Sequence, residues 1–212
     1  FTGDRRIGAF FLPVGAGWGG RSVFRELVQH PDGTLGTRWP QEMIPRTGDP
    51  VNLGFSALDS VASGDPSRIH LAAAGFTSAF LTGAPRNALI RFRVTAARGT
   101  YVFGVTVRAG QDPRKALSLE FEPSRRKVGW RSAADHAWKE SEIAALYQVD
   151  GLEEPATVEV IIVDDLLDVC INGQRTLINY QVAGDGDGLL FYCHAGEVTF
   201  DSITVRPVLD SI

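Results

Sequence analysis

Apolar and polar positions alternate with a period of two along most of the chain, and short apolar runs fill the rest between Gly, Pro and Asp punctuation. Successive strand side chains point to opposite faces, so this is the signature of β-strands. The pattern predicts strands over 7–14, 22–29, 69–73, 77–81, 88–95, 101–108, 116–122, 127–131, 157–163, 167–171, 189–194 and 198–207. Turn-forming residues recur between them: Arg98-Gly99-Thr100, Gln111-Asp112-Pro113, Pro123-Ser124, Asn172-Gly173 and Ala195-Gly196. One stretch, 134–145 (ADHAWKESEIAA), has a helical look, and a loop with one turn of helix fits it equally. Many short strands at regular spacing place the chain in the all-β class, as a sandwich or barrel.

The N-terminal part is organised differently. The run FRELVQHPDGTLGTRWPQEM holds a strand, a tight Asp32-Gly33 turn, a short second strand and a stop at Trp39-Pro40. In the strand before it, Ile7, Ala9 and Phe11 alternate with Gly8, Phe10 and Leu12, so both faces are apolar. A strand buried on both faces belongs inside a larger assembly. The expected partner is an upstream domain or, failing that, a second copy in a two-fold dimer. Residues 46–65 (RTGDPVNLGFSALDSVASGD) are rich in Gly, Asp and Ser and poor in periodicity. This predicts an N-terminal β segment over 1–45, a linker over 46–65 and a β-sandwich domain over 66–212. A chain that opens at Phe1 in strand-like sequence reads as part of a longer protein.

Composition narrows the partners. Apolar residues make up 44% of the 212, too many for a disordered chain. A net charge of −4 gives no electrostatic reason to expect nucleic acid or an anionic membrane. The one basic cluster, Arg125-Arg126-Lys127, has the size of a solvated turn. No apolar run reaches the roughly 20 residues of a membrane-spanning helix. Cys170 and Cys193 each sit in an apolar strand, so two buried thiols are favoured over a disulfide between them. No clustered Cys/His spacing points to zinc, and no cofactor is implied.

The phrases Arg25-Glu26-Leu27-Val28, Asp32-Gly33-Thr34-Leu35, Trp39-Pro40 and Glu42-Met43 resemble the junction between propeller and C-terminal sandwich in glycoside hydrolase family 32, the invertase, levanase and inulinase family. The run TVEVIIVDDLLDVCINGQR is similar to a second family pattern, with Asp164, Asp168 and Asn172-Gly173 in its polar places. Val160, Ile162, Val169 and Ile171 take its apolar ones. The closing run GLLFYCHAGEVTFDSITVRPVL looks like the last hairpin of the same sandwich. Two places depart from the pattern: the insert Asp164-Asp165-Leu166-Leu167, and the lack of a proline before Arg25. The resemblance implies a concanavalin A-like, jelly-roll sandwich that follows a catalytic propeller. Its role would be to brace that propeller and to aid carbohydrate binding or dimerisation. The same fold serves lectin-like modules and complete jelly-roll sugar hydrolases, and both remain alternatives.

The family's three catalytic acids lie in propeller phrases that this chain lacks, so the resemblance carries no catalytic residue here. Glu120 and Glu122 share one strand face. Neighbouring same-face acids are more often a solvated surface than the paired carboxyls of a retaining glycosidase. The histidines His30, His70, His136 and His194 are scattered and form no metal or nucleophile motif. In AGDGDG, Asp185 and Asp187 lack the further oxygens calcium needs, and a Gly-rich turn is favoured. For sugar binding the candidates are Trp138, in the least regular stretch, then Trp130 and Trp18, with core or interface packing as the competing role for each. Trp39, before Pro40, is expected to pack at the junction.

Overall fold

The computed structural model describes residues 5–12, 22–31, 33–110, 112, 115–132, 142–180 and 184–209. Among these, every regular element longer than one turn is a strand, and 3-10 turns occur at Gln41–Met43 and Pro123–Arg125. β1 (Ile7–Phe11), β2 (Ser22–Gln29) and β3 (Leu35–Arg38) form a small antiparallel sheet in that order. The remaining strands are β4 (Gly54–Ala57), β5 (Ala62–Asp65), β6 (Arg68–Thr82), β7 (Ala88–Ala96), β8 (Val102–Ala109) and β9 (Leu117–Glu122). They continue as β10 (Lys127–Ser132), β11 (Glu142–Leu146), β12 (Ala156–Val163), β13 (Leu166–Ile171), β14 (Arg175–Tyr180) and β15 (Gly188–Pro207).

These strands fold as a two-layered, all-β jelly-roll sandwich. The front layer runs β11-β10-β9-β8, then the first half of β15, the second half of β6, and β4. The back layer runs β14-β13-β12-β7, then the second half of β15, the first half of β6, and β5. The long strands β6 and β15 pass through both layers. Where β15 crosses, its register slips between His194 and Gly196, and Ala195 has a positive φ of 54°. The sequence there predicts a turn between two strands. The structure makes it a bulge within one, because the Ala195 carbonyl keeps a ladder-like bond from the Tyr101 N–H and the chain bends without reversing.

Between the layers, Phe92 and Phe191 meet edge-on at 5.7 Å, Phe191 and Phe200 at 4.9 Å, and Phe103 stacks on Phe121 at 5.0 Å. Trp130 is fully buried in the same core.

Two expectations change. The Gly- and Ser-rich stretch read as a linker carries β4 and β5, which pair with β6 at the ends of the two layers. An edge strand needs only its backbone groups on one side, so weak periodicity does not disqualify it. Of the helical-looking stretch, 134–141 lies outside the described residues, and its remainder falls in strand β11 (Glu142–Leu146) against β10.

The small sheet packs on the back layer. Cross-strand neighbours share a face, so Val23, Arg25 and Thr37 point to the same side. That side covers β13 and β14. Arg25 Nη2 lies 2.7 Å from both carboxylate oxygens of Asp168, and its Nε donates to Thr176 at 3.0 Å. The Thr37 N–H donates to the Gln174 carbonyl at 2.7 Å. Trp39 is buried against Ile161, Val163 and Cys170. Hence β13 has no exposed residue, inward through Leu167, Val169 and Ile171, outward through Leu166, Asp168 and Cys170. The near-continuous apolar reading of this strand has that cause.

Candidate functional site

Two surfaces stand out. The first is the open side of the small sheet, where Ile7, Phe24 and Met43 are all more than a third exposed. Together with Pro40, Arg5 and Glu42 they line an open cavity of about 290 Å³. Among the described residues β1 pairs with β2 alone and forms the edge of its sheet. Ions border the patch: Glu26 is held by Arg38 and Arg5, and Arg5 also bonds Glu42 at 2.7 Å. These guanidiniums hold the Glu26 carboxyl below its usual range, Arg38 most strongly, and Arg5 brings Glu42 down to about 2. The strand expected to be apolar on both faces is exposed on this one.

The second is the outer face of the front layer. The alternation in LSLEFE sends Leu119 and Phe121 into the core and Ser118, Glu120 and Glu122 outward. In LLFYCH it sends Phe191 and Cys193 inward and Tyr192 outward. The registers place Ser78, Tyr192, Gly104, Glu120 and Gly129 in one row across five strands. Two glycines therefore flank Glu120. A methyl on Gly104 would collide with the Leu119 carbonyl and lie 2.7 Å from the Tyr192 hydroxyl oxygen. The bare backbone thus lets Tyr192 lie across β8 and donate its hydroxyl to Glu120 at 3.2 Å.

Arg131 links the two acids, with Nε 2.7 Å from Glu120 and Nη2 2.8 Å from Glu122. Glu122 also meets Arg125 at 3.0 Å and Lys127 at 3.4 Å. The environments push the two carboxyls apart. Burial raises Glu120, against the pull of Arg131. Glu122 is lowered although burial opposes it, because Arg125, Lys127 and Arg131 together outweigh that cost. Burial lifts the Tyr192 phenol well above its ordinary value, so it stays a neutral donor. Phe76 stacks on Tyr192 with 5.8 Å between ring centres and is half exposed. Tyr147, also exposed, sits under the Lys127 ammonium. The face is a hydrogen-bonding array of carboxylates, guanidinium and phenol, rimmed by aromatic rings. The polar groups are largely buried in bonds to one another, and the exposed rings of Phe76 and Tyr147 are the part that can cover a sugar's apolar side.

Glu120 and Glu122 do share a face, but it is not the solvated surface expected from sequence: both side chains are largely buried in ion pairs. Glu122, surrounded by three cations, is poorly suited to nucleophilic attack. Trp130 belongs to the inward parity of β10 and has no exposed ring, which removes it as a sugar platform. Trp18 and Trp138 lie outside the described residues. Trp39 packs at the junction, as its place before Pro40 suggests. Phe76 and Tyr147 are the exposed aromatic residues that tryptophan counting misses, whereas Tyr192 is as buried as Trp130. Asp187 accepts from the Gly83 N–H at 3.0 Å and ties the Gly-rich turn to the β6–β7 connection. Among the described residues no group of three metal-ligating side chains converges.

No protein-family model matches the chain, and no curated protein matches it in sequence. Solved structures do match in fold. The carbohydrate binding module CBM66 from Bacillus subtilis has a TM-score of 0.59 at 9% identity, covering 72% of this chain and 95% of that one. The exo-inulinase from Aspergillus awamori also has a TM-score of 0.59, at 11% identity, covering 92% of this chain but 37% of the inulinase. The sucrose-6-phosphate hydrolase from Lactobacillus gasseri has a TM-score of 0.54 at 11% identity, covering 95% of this chain and 38% of that one. At these identities the likeness shows the fold alone.

Proposed function

We propose that this chain is an accessory β-sandwich of a glycoside hydrolase similar to family 32, which docks a catalytic propeller through its small sheet and binds carbohydrate on its front layer. One observation carries the reading. The small sheet is locked to the sandwich on one face by the buried Arg25–Asp168 pair, while its other face is apolar, exposed and edged by a strand side that no other described residue pairs. Such a face is half of an interface. The inulinase likeness supports it, because it extends over more of the chain than the isolated module's does. The chain itself has no catalytic role in this reading. Without the propeller, two copies pair through the same apolar face.

Light scattering tests the docking half: the chain associates, and Ile7→Asp with Phe24→Asp makes it a monomer. A monomeric parent chain whose β1 amides exchange slowly overturns it. Affinity electrophoresis tests the binding half, with levan, inulin and β-glucan in the gel. Retardation by a neutral polysaccharide that Phe76→Ala abolishes is expected, and no retardation by any of them overturns it. A stand-alone lectin-like module is the second reading. It is favoured by the 95% coverage of the carbohydrate binding module, and a monomer that binds sugar would select it.

A further inference from the structure

The outer face of the back layer carries a groove that the reading above does not use. β7 lies between β12 and the second half of β15, and on this face its polar positions are Arg91 and Arg93. Their cross-strand neighbours are Glu159 and Thr204 for Arg91, and Thr157 and Asp201 for Arg93. The next row holds Leu89 and Arg206. The groove measures about 470 Å³ and is also lined by Ser202. A cavity of several hundred Å³ is the size that takes a small ligand.

The strand geometry is adapted to it. β15 slips register between Asp201 and Thr204, and Ser202 sits there at a φ of 54°. A serine in the left-handed region costs energy, and bulges of this kind re-aim side chains. The bulge brings Ser202 to the groove beside Thr204.

Charge selects the ligand. Three guanidiniums face two carboxylates, Glu159 and Asp201, on a chain whose net charge is −4. Arg91 approaches Glu159 through Nε at 3.6 Å, and Arg206 gives one N–H to the Gly48 carbonyl at 3.0 Å. Each guanidinium has five N–H donors in a planar fork that matches a carboxylate or sulfate. Arg91 and Arg93 stand two residues apart on one strand, about 7 Å. The lining offers hydroxyls from Thr157, Ser202 and Thr204, with Leu89 and the buried Phe92 its two apolar residues. That is a poor match for a protein partner, whose interface core is apolar, and a good one for a polyhydroxylated anion.

We propose that this back-layer groove binds an acidic saccharide, with Arg91, Arg93 and Arg206 taking its carboxylate or sulfate groups and Thr157, Ser202 and Thr204 its hydroxyls. The site is separate from the front layer and does not depend on neutral-sugar binding there.

Calorimetric titration of the purified chain tests it, using tetragalacturonate, its methyl ester and a sulfated disaccharide. The free acid binds and the ester, of the same shape without charge, does not. Binding by the sulfated sugar as well shows that the shared chemistry is the anion, and binding by the uronate alone narrows it to carboxylate. The double variant Arg91→Ala/Arg93→Ala weakens binding at least about tenfold, the loss of charge-assisted hydrogen bonds. Arg98→Ala, an exposed turn residue, changes nothing, and Glu159→Gln tightens binding by removing a competing carboxylate. Thermal melts of the variants confirm that they fold. Equal binding of acid and ester overturns the proposal, as does unchanged affinity in the folded double variant. No binding of either acidic sugar up to about 1 mM, or tighter binding of a short DNA duplex, does so too.

Discussion

Removing Arg25 from the small-sheet junction tests what holds the two sheets together. Arg25 and Asp168 are each about 8% exposed at the side chain, and one guanidinium nitrogen lies 2.7 Å from both carboxylate oxygens. Arg25→Ala leaves a buried carboxylate with no cation, and Asp168→Asn leaves a buried guanidinium with no anion. Breaking a buried pair from one side costs about 3–5 kcal/mol. At 1.4 kcal/mol per factor of ten, even the lower figure speeds opening roughly 150-fold. The Thr37 amide reports it directly, because it bonds the Gln174 carbonyl across the junction. Its hydrogen exchange is therefore expected to accelerate by that factor in Arg25→Ala, and by less in Asp168→Asn, because burial already disfavours the charge which that substitution removes. In Arg25→Met/Asp168→Leu it returns to within about tenfold of the parent, since an apolar pair of similar volume replaces an ion pair at little net cost.

The pH dependence has a definite sign. Burial pushes the Asp168 carboxyl up to about 6 from 3.8, against the attraction of Arg25. A raised folded-state value means that the folded form binds the proton more tightly. The stabilisation is therefore complete below about pH 4 and is lost as pH rises through about 6, up to about 3 kcal/mol. Thr37 protection, corrected for intrinsic exchange, should fall across that window in the parent and stay flat in Asp168→Asn. Protection that rises with pH, or single variants that exchange like the parent, would refute this account of the junction.

Three further outcomes follow from the geometry. Cys170 and Cys193 are buried, unbonded to one another, and pushed up to about 11 by desolvation, so a thiol reagent should label them only at the rate of unfolding; rapid labelling of either would contradict the strand placement. Gly104→Ala should cost about 1–3 kcal/mol in denaturant unfolding by overpacking against the Leu119 carbonyl, and should displace the Tyr192 hydroxyl from Glu120; a neutral result would mean the strand shifts to accommodate the methyl. Trp130→Ala should lower stability by about 3–5 kcal/mol, as for a large core side chain, whereas Phe76→Ala leaves stability nearly unchanged and acts on sugar retention; equal stability losses would place both rings in the core.

The class of fold and most of the strands were legible in the chain's local pattern. Alternation of side chains is a local property of extended backbone, so Ala88–Ala96, Val102–Ala109 and Ala156–Val163 were legible to within a residue or two. The Asn172-Gly173 turn was legible for the same reason, and both residues have positive φ. The pattern also separated the inward from the outward parity of β9, which put Glu120 and Glu122 on one face.

What each outward face meets depends on contacts between distant parts of the chain. Weakly patterned strands such as β4 and β5 exist because β6 offers them hydrogen-bond partners. The joining of 69–73 to 77–81 and of 189–194 to 198–207 into two long strands depends on pairing with strands far away in sequence. β13 is buried on both faces because Arg25 and Trp39 arrive from the small sheet, which no local pattern announces. The same limit governs the sites. An acid next to another acid reads as surface until Arg131 and Lys127 from β10 and Tyr192 from β15 are brought to it. The back-layer arginines lie on strands β7 and β15, more than a hundred residues apart, and meet only through the register of the sheet.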